Sequence, residues 1–179
     1  MHSNLDRVEL LLNGTSLGAQ DVPRFLHAEW KVKYAPGTIE ARGFRDGRHV
    51  LTTTRATTGA PARIALRPDR TRIAADGEDV SLITVEVQDE QGRVVPTAGN
   101  EITFRITGNG RLIGVGNGDP SSHESDHGSI RSAFNGLAMA IVQASKEPGD
   151  LAVEASSPAL VSASVSIACE RVSLRPAVA

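Results

Sequence analysis

Apolar residues in this chain return at every second position, and that period constrains the backbone before any motif is considered. In "RVELLLNG", Val8, Leu10 and Leu12 fall on one face and the run stops at Asn13-Gly14, a pair that accepts positive φ and closes hairpins. "AEWKVKYAPG" alternates Trp30, Val32 and Tyr34 with Glu29, Lys31 and Lys33. It predicts a strand with lysines toward water and rings inward, broken at Pro36-Gly37. "TIEARGFRDGRHVLTTTR" predicts a hairpin about Asp46-Gly47, its second arm suited to the β-branched Thr52, Thr53 and Thr54.

After "TTGAPAR" at 57–63, a joint punctuated by Gly59 and Pro61, the alternation resumes. Ile64 and Leu66, then Ile83, Val85 and Val87, then Ile102, Phe104 and Ile106 each mark one face of a strand. "LAMAIVQA" is apolar on both faces and predicts a central strand, with Phe134 just before it expected in the core. Leu151, Val153 and Ala155 form another strand. Ala163, Val165, Ile167 and Cys169 alternate with serines in the last one.

No window carries a sustained 3.6-residue period with caps, so the expected class is all-β. Short strands with turn signals roughly every 8–12 residues predict two immunoglobulin-like β-sandwich units in tandem. The first, 1–60, is small and expected to lack an upstream strand or to lean on a neighbour. The second, 61–170, has the length of a complete sandwich. Residues 171–179 read as a frayed tail.

Composition narrows the function. A 40% hydrophobic content supports real cores, and a net charge of −2 with singly scattered Lys and Arg offers no attraction to nucleic acid or to an anionic membrane. No apolar run approaches the roughly 20 residues that span a bilayer. "MHSNLDRVELLLNG" lacks the charged and apolar regions of an export signal. The chain enters a strand almost at once, as a segment cut from a longer protein would. Cys169 is the only cysteine, which excludes an internal disulfide and a Cys-based zinc site and suits a buried strand position.

The most specific-looking motif is His123-Glu124-Ser125-Asp126-His127, the H-E-x-x-H spelling of zinc peptidases. That motif works on a helix, which sets both imidazoles on one face with the glutamate beside the metal-bound water. Here it lies between "NGDPSS" and Gly128-Ser129, with no amphipathic pattern around it. The expectation is a turn-rich loop, with at most an adventitious metal at His123 and His127. Asn117-Gly118 provides a turn, and Asp119, Ser121 and Ser122 can bond nearby amides. Glu124 and His123 can reach Arg131.

Carboxylate pairs for sugar cleavage, Glu124 with Asp126 or Asp76 with Glu78 and Asp79, are near one another in sequence only. "AADGEDVS" reads as a solvated turn. "GVGNG" lacks the strand–helix setting of a phosphate loop, and the glycosylation spelling at Asn13 reads as a hairpin turn.

Taken together, "VELLLNGTSLG", "AEWKVKYAPGTIEARGFRDG", "ADGEDVSLITVEVQDEQGRVVPTAGNEITFRITGNGRLIGVGNGDPSSHES" and "RSAFNGLAMAIVQA" resemble the C-terminal accessory domains of bacterial family 2 glycoside hydrolases, the β-galactosidase-like enzymes. The resemblance runs from about residue 4 to 168 and keeps the domain order; His127 falls outside its loop pattern. It implies a parent enzyme that hydrolyses terminal β-glycosides with retention, using two glutamates on an upstream (β/α)8 barrel. Such a barrel needs on the order of 250 residues, so no catalytic residue is carried onto any position here and no cofactor is implied.

The implied partners are the barrel and other domains of the parent chain, with a periplasmic or secreted location. The implied domain-contact loop comprises Asn117, Asp119, His123 and Glu124. Two other readings stand beside this one. The first is a carbohydrate-binding module whose oligosaccharide contact would lie at Trp30 or Tyr34. The second is an immunoglobulin-like spacer of a surface adhesin.

Overall fold

The structure is a computed structural model that describes residues 1–174. The tail expected to fray lies, for residues 175–179, outside the described residues. The described residues contain strands and turns but no helix, and so none long and apolar enough to cross a membrane. They divide into two compact units, Met1–Thr57 and one that begins at Thr58.

The first unit is one antiparallel sheet. Its strands are β1 (Arg7–Leu12), β2 (Thr15–Asp21), β3 (Thr38–Arg45) and β4 (Arg48–Ala56), in the order β2-β1-β3-β4. Both hairpins close as the dipeptides demand: Asn13 and Gly14 take φ of 50° and 80°, Asp46 and Gly47 take 49° and 74°, two positive values each, as type I′ turns need. The Asn13 side chain is also engaged, donating to Pro36 O at 3.0 Å and accepting from Thr38 N at 2.7 Å.

The expected strand over 28–37 does not form. Residues 22–35 run across the sheet outside any ladder, held by Met1, which pairs with Ala28, and by the Gln20 side-chain amide, which bonds both backbone groups of Glu29. The alternation instead packs Trp30 and Val32 onto Val8, Leu10 and Ala41. The irregular segment is thus the second layer of this unit. Tyr34, expected inward, is 76% exposed. A period of two reports which face is buried and not whether the backbone finds a partner.

The second unit is a β-sandwich. A four-stranded sheet has the order β5-β7-β11-β9, from β5 (Arg63–Pro68), β7 (Val80–Gln88), β9 (Gly110–Gly116) and β11 (Leu137–Ala144). A five-stranded sheet has the order β10-β8-β12-β13-β6, from β6 (Arg72–Ala74), β8 (Glu101–Gly108), β10 (Ile130–Ser132), β12 (Gly149–Ser156) and β13 (Ala163–Glu170).

Every pairing within these two sheets is antiparallel except β13 with β6. The inward rows of both sheets share one core, in which Ile83, Val85 and Val142 meet Ile102, Leu151, Val153 and Ile167 with essentially no exposure. Cys169 is buried there, its Sγ 3.5 Å from Asn109 O, and burial raises its thiol pKa above the ordinary value.

β11 takes an interior position in its sheet, yet only one of its two apolar faces is covered. Ala138, Ala140 and Val142 are buried while Leu137 and Met139 are exposed. Phe134 also departs from its expected core place. It closes the Asn135-Gly136 turn against Leu137 and remains 37% exposed, because the tight turn lifts the pair to the rim of the sheet.

Candidate functional site

β9 and β10 lie at the edges of opposite sheets, and residues 117–129 carry the chain from one to the other. The organising residue is Arg131. It pairs with Ile102 in the ladder and so shares the core-facing side of its strand, where its side chain is 6% exposed. A guanidinium taken out of water needs its donors satisfied, and the loop supplies the acceptors.

Nη1 donates to Glu124 O at 3.1 Å and to Asp126 Oδ1 at 2.8 Å, and Nη2 donates to Asn117 Oδ1 at 2.9 Å. Nε lies 3.4 Å from Glu124 Oε2, an ion pair without an aligned hydrogen bond.

The remaining polar groups of the loop close on themselves. Asn117 Nδ2 donates to Ser132 O, and Asn117 Oδ1 also accepts from Asp119 N. Asp119 Oδ1 accepts from Ser121 N at 2.9 Å and from Ser121 Oγ at 2.7 Å. Glu124 clasps Ser132, accepting from Oγ at 2.5 Å and from N at 3.1 Å. Val115 N and Phe104 N reach Asp126 O and Ser129 O and stitch the loop to both sheets.

Two carboxyls are held below their ordinary pKa as a result. For Glu124 the causes are the Ser132 hydroxyl, then the Ser132 amide, with a smaller pull from Arg131. For Asp119 they are the two Ser121 donors. An acid catalyst of glycoside cleavage needs a raised carboxyl, so this loop is built to hold anions and not protons.

The H-E-x-x-H stretch therefore lies on a loop with no helical turn to align it. His123 and His127 are exposed, and no group of three or more His, Cys, Asp or Glu among the described residues is placed to hold a metal ion. Of the loop residues singled out from sequence, Asn117 and Glu124 engage the Arg131–Ser132 strand directly, and Asp119 joins them through its amide on Asn117 Oδ1. His123 does not. Asp126 belongs to the cluster as an acceptor for Arg131, a role its sequence position did not disclose; the signal was an arginine in phase with apolar Ile102 across the ladder.

The other acidic group, Asp76 with Glu78 and Asp79, caps a turn. Asp76 Oδ1 accepts from Asp79 N and Glu78 N, which lower its carboxyl. Asp79 accepts from Ala74 N and pairs with Arg70 at 2.8 Å. Burial pushes the Asp79 carboxyl up, but these partners outweigh it and the net shift is downward.

A third polar centre escaped sequence reading. Asp89 is fully buried just after β7 and accepts from Gly59 N, Gln91 N, Arg93 N and Arg93 Nε at 2.8–3.0 Å. Burial opposes ionisation, yet the amides of Gly59 and Arg93 and the Arg93 guanidinium hold it far below the usual carboxylate range.

Residues 64–166, which enclose the sandwich and the Arg131 loop, match the model of glycoside hydrolase family 2 C-terminal domain 5. The chain belongs to this glycoside hydrolase family 2 domain family. Residues 1–51 match a domain of unknown function, DUF4982. The glycoside hydrolase family 2 chain is 39% identical over 94% of its length to a β-galactosidase of Bacteroides ovatus, of which it covers 20%. It is 33% identical over 86% of its length to a putative β-glucuronidase of Formosa agariphila, covering 15% of that protein.

A solved family 2 glycosyl hydrolase of Bacteroides cellulosilyticus superposes with a TM-score of 0.88 at 36% identity, over 93% of this chain and 22% of that one. The chain thus spans about a fifth of the length of such relatives and matches their C-terminal part. It corresponds to C-terminal accessory domains of family 2 proteins.

Proposed function

We propose that the parent protein is a retaining β-galactosidase-type hydrolase of terminal β-glycosides, and that this chain buttresses its catalytic barrel. The observation that carries the reading is the 39% identity to the B. ovatus β-galactosidase across nearly the whole chain, at the cost of only a fifth of that enzyme. Residues 1–60 and 61–170 serve as successive accessory domains. The loop bearing Asn117, Asp119, His123 and Glu124 is a domain contact. Its support is physical: with the polar groups of its base engaged around Arg131, the loop offers a shape-stable rim on which His123 stands outward.

The reading frame upstream of residue 2 tests the proposal. A barrel of several hundred residues with two glutamates at strand ends is the expected result; a frame of sandwich domains alone would overturn it. Oligosaccharide contact is a second reading favoured by one observation. Exposed Tyr34 borders a depression of about 390 Å³ with Leu12, Val32 and Ile39. Calorimetric titration of galactosides into the wild-type chain and into Tyr34→Ala tests that contact: heat of binding lost in the variant is the expected result, and no binding to the wild-type chain would sink it.

A further inference from the structure

The first unit displays an aromatic where folding gives no reason for one. Residues 23–26 make a turn whose tip carries Phe25, 91% exposed, and Leu26, 61% exposed. Phe25 has φ of +70°, a left-handed conformation that is an outlier for a bulky side chain and that glycine would adopt freely. Two adjacent apolar side chains projected mostly into water from a strained backbone bury little within the unit, and such outliers persist where the surroundings hold them for another purpose.

The surroundings do hold this one. Val22 N donates to Asp6 O at 2.8 Å, Leu26 N to Pro23 O at 3.0 Å and Ala28 N to Met1 O at 3.0 Å, so the turn is stapled at both ends. Arg24 lies over the Phe25 ring, its Cζ 4.9 Å from the centroid. A depression of about 600 Å³ opens beside the turn, with Leu5, Asp6, Val22 and Phe25 in its wall.

The same contacts place the turn next to residue 1. Ala28 N donates to Met1 O at 3.0 Å, the Met1 nitrogen lies 2.6 Å from Ala28 O, and the His2 and His27 rings stand 5.2 Å apart. In the family 2 relatives the matched region is the C-terminal part, about a fifth of the protein; in a parent of that plan, the preceding domain would join the chain beside this turn.

We infer that Phe25 and Leu26 are an anchor for the domain that precedes residue 1, seated in an apolar recess of that domain. The inference rests on the family 2 parent proposed above. Tethering explains why so small a patch suffices: a covalently attached neighbour is present at millimolar effective concentration, and contacts between domains of one chain need not be large. Arg24 over the ring adds a cationic rim suited to an acidic border around that recess.

Hydrogen exchange on the natural full-length protein and on the 179-residue chain provides the test. Amides 24–28 should exchange at least roughly 10-fold more slowly in the full-length protein, independently of concentration. Phe25→Gly should abolish the difference while leaving the unfolding midpoint of the short chain, followed by Trp30 fluorescence, unchanged or raised.

Equal exchange in both proteins, with a barrel encoded upstream, would overturn the anchor and leave the proposed function standing. Protection that grows with concentration in the short chain would assign the surface to a second copy and overturn it likewise. A frame without a barrel would remove the parent enzyme and the anchor together.

Discussion

Replacing Arg131 with methionine should release the loop while leaving the sandwich folded. Methionine keeps most of the stem that packs beside Ile102 but loses three hydrogen bonds and an ion pair. Bonds to charged groups are worth about 1.5–3 kcal/mol each, which sets a gross loss of about 5 kcal/mol or more. Two offsets reduce it. Asp126 is 74% exposed, so water replaces most of what that pair contributed. The guanidinium also no longer has to be held out of water, which returns several kcal/mol.

The net local cost is about 2 kcal/mol, or roughly a 30-fold change in an opening equilibrium. Hydrogen exchange measures it at the amides of Val115, Phe104 and Ser132, which the loop acceptors protect. They should exchange roughly 30-fold faster, while amides of β12 remain at the wild-type rate. Glu124→Gln should give a smaller acceleration and Asp126→Asn the smallest, in order of their exposure. An unchanged rate in Arg131→Met, or an Asp126→Asn effect of equal size, would refute the account of Arg131 as the loop's anchor.

Other outcomes follow from the same packing and electrostatics. Leu151→Ala, at a fully buried position between the sheets, should lower unfolding free energy by about 3 kcal/mol in urea titration followed by circular dichroism. Gly47→Ala should cost about 1 kcal/mol of left-handed strain, since its added Cβ meets open space. Gly136→Ala should cost that plus about 1–3 kcal/mol of overpacking, because its Cβ would lie 2.3 Å from Val95 O. Each midpoint is read against the wild-type transition of its own unit, and a larger loss for Gly136→Ala than for Gly47→Ala reports the collision.

The carboxyls of Asp69, Asp79, Asp89 and Glu124 are all depressed in the folded chain. Their stabilisation is therefore complete above the unfolded values near pH 4 and disappears as the pH falls through the folded ones. Urea midpoints should agree at pH 7 and 5 and drop at pH 3; a flat profile would contradict these assignments. Dialysis against zinc should leave less than one equivalent bound, and His123→Ala should not change it; stoichiometric retention would revive the metal reading.

The alternation of apolar side chains determined by itself that the chain is all-β, where most strands begin, and which side of each faces the core. The dipeptides Asn13-Gly14, Asp46-Gly47 and Asn135-Gly136 likewise determined three tight turns, because left-handed φ is a property of the residues and not of their neighbours. Partnership was decided only in three dimensions. Trp30 and Val32 alternate as in a strand, yet the Gln20 side chain holds that segment in place of a ladder.

Leu137 and Met139 belong to a strand apolar on both faces, yet they stay exposed because no third layer among the described residues covers them. Glu124 could be read as reaching Arg131, but Asp126 became its acceptor only once the fold set Arg131 at a sheet edge, facing inward. A side chain's chemistry is written locally, whereas the loss of water that gives the chemistry its strength depends on distant strands meeting.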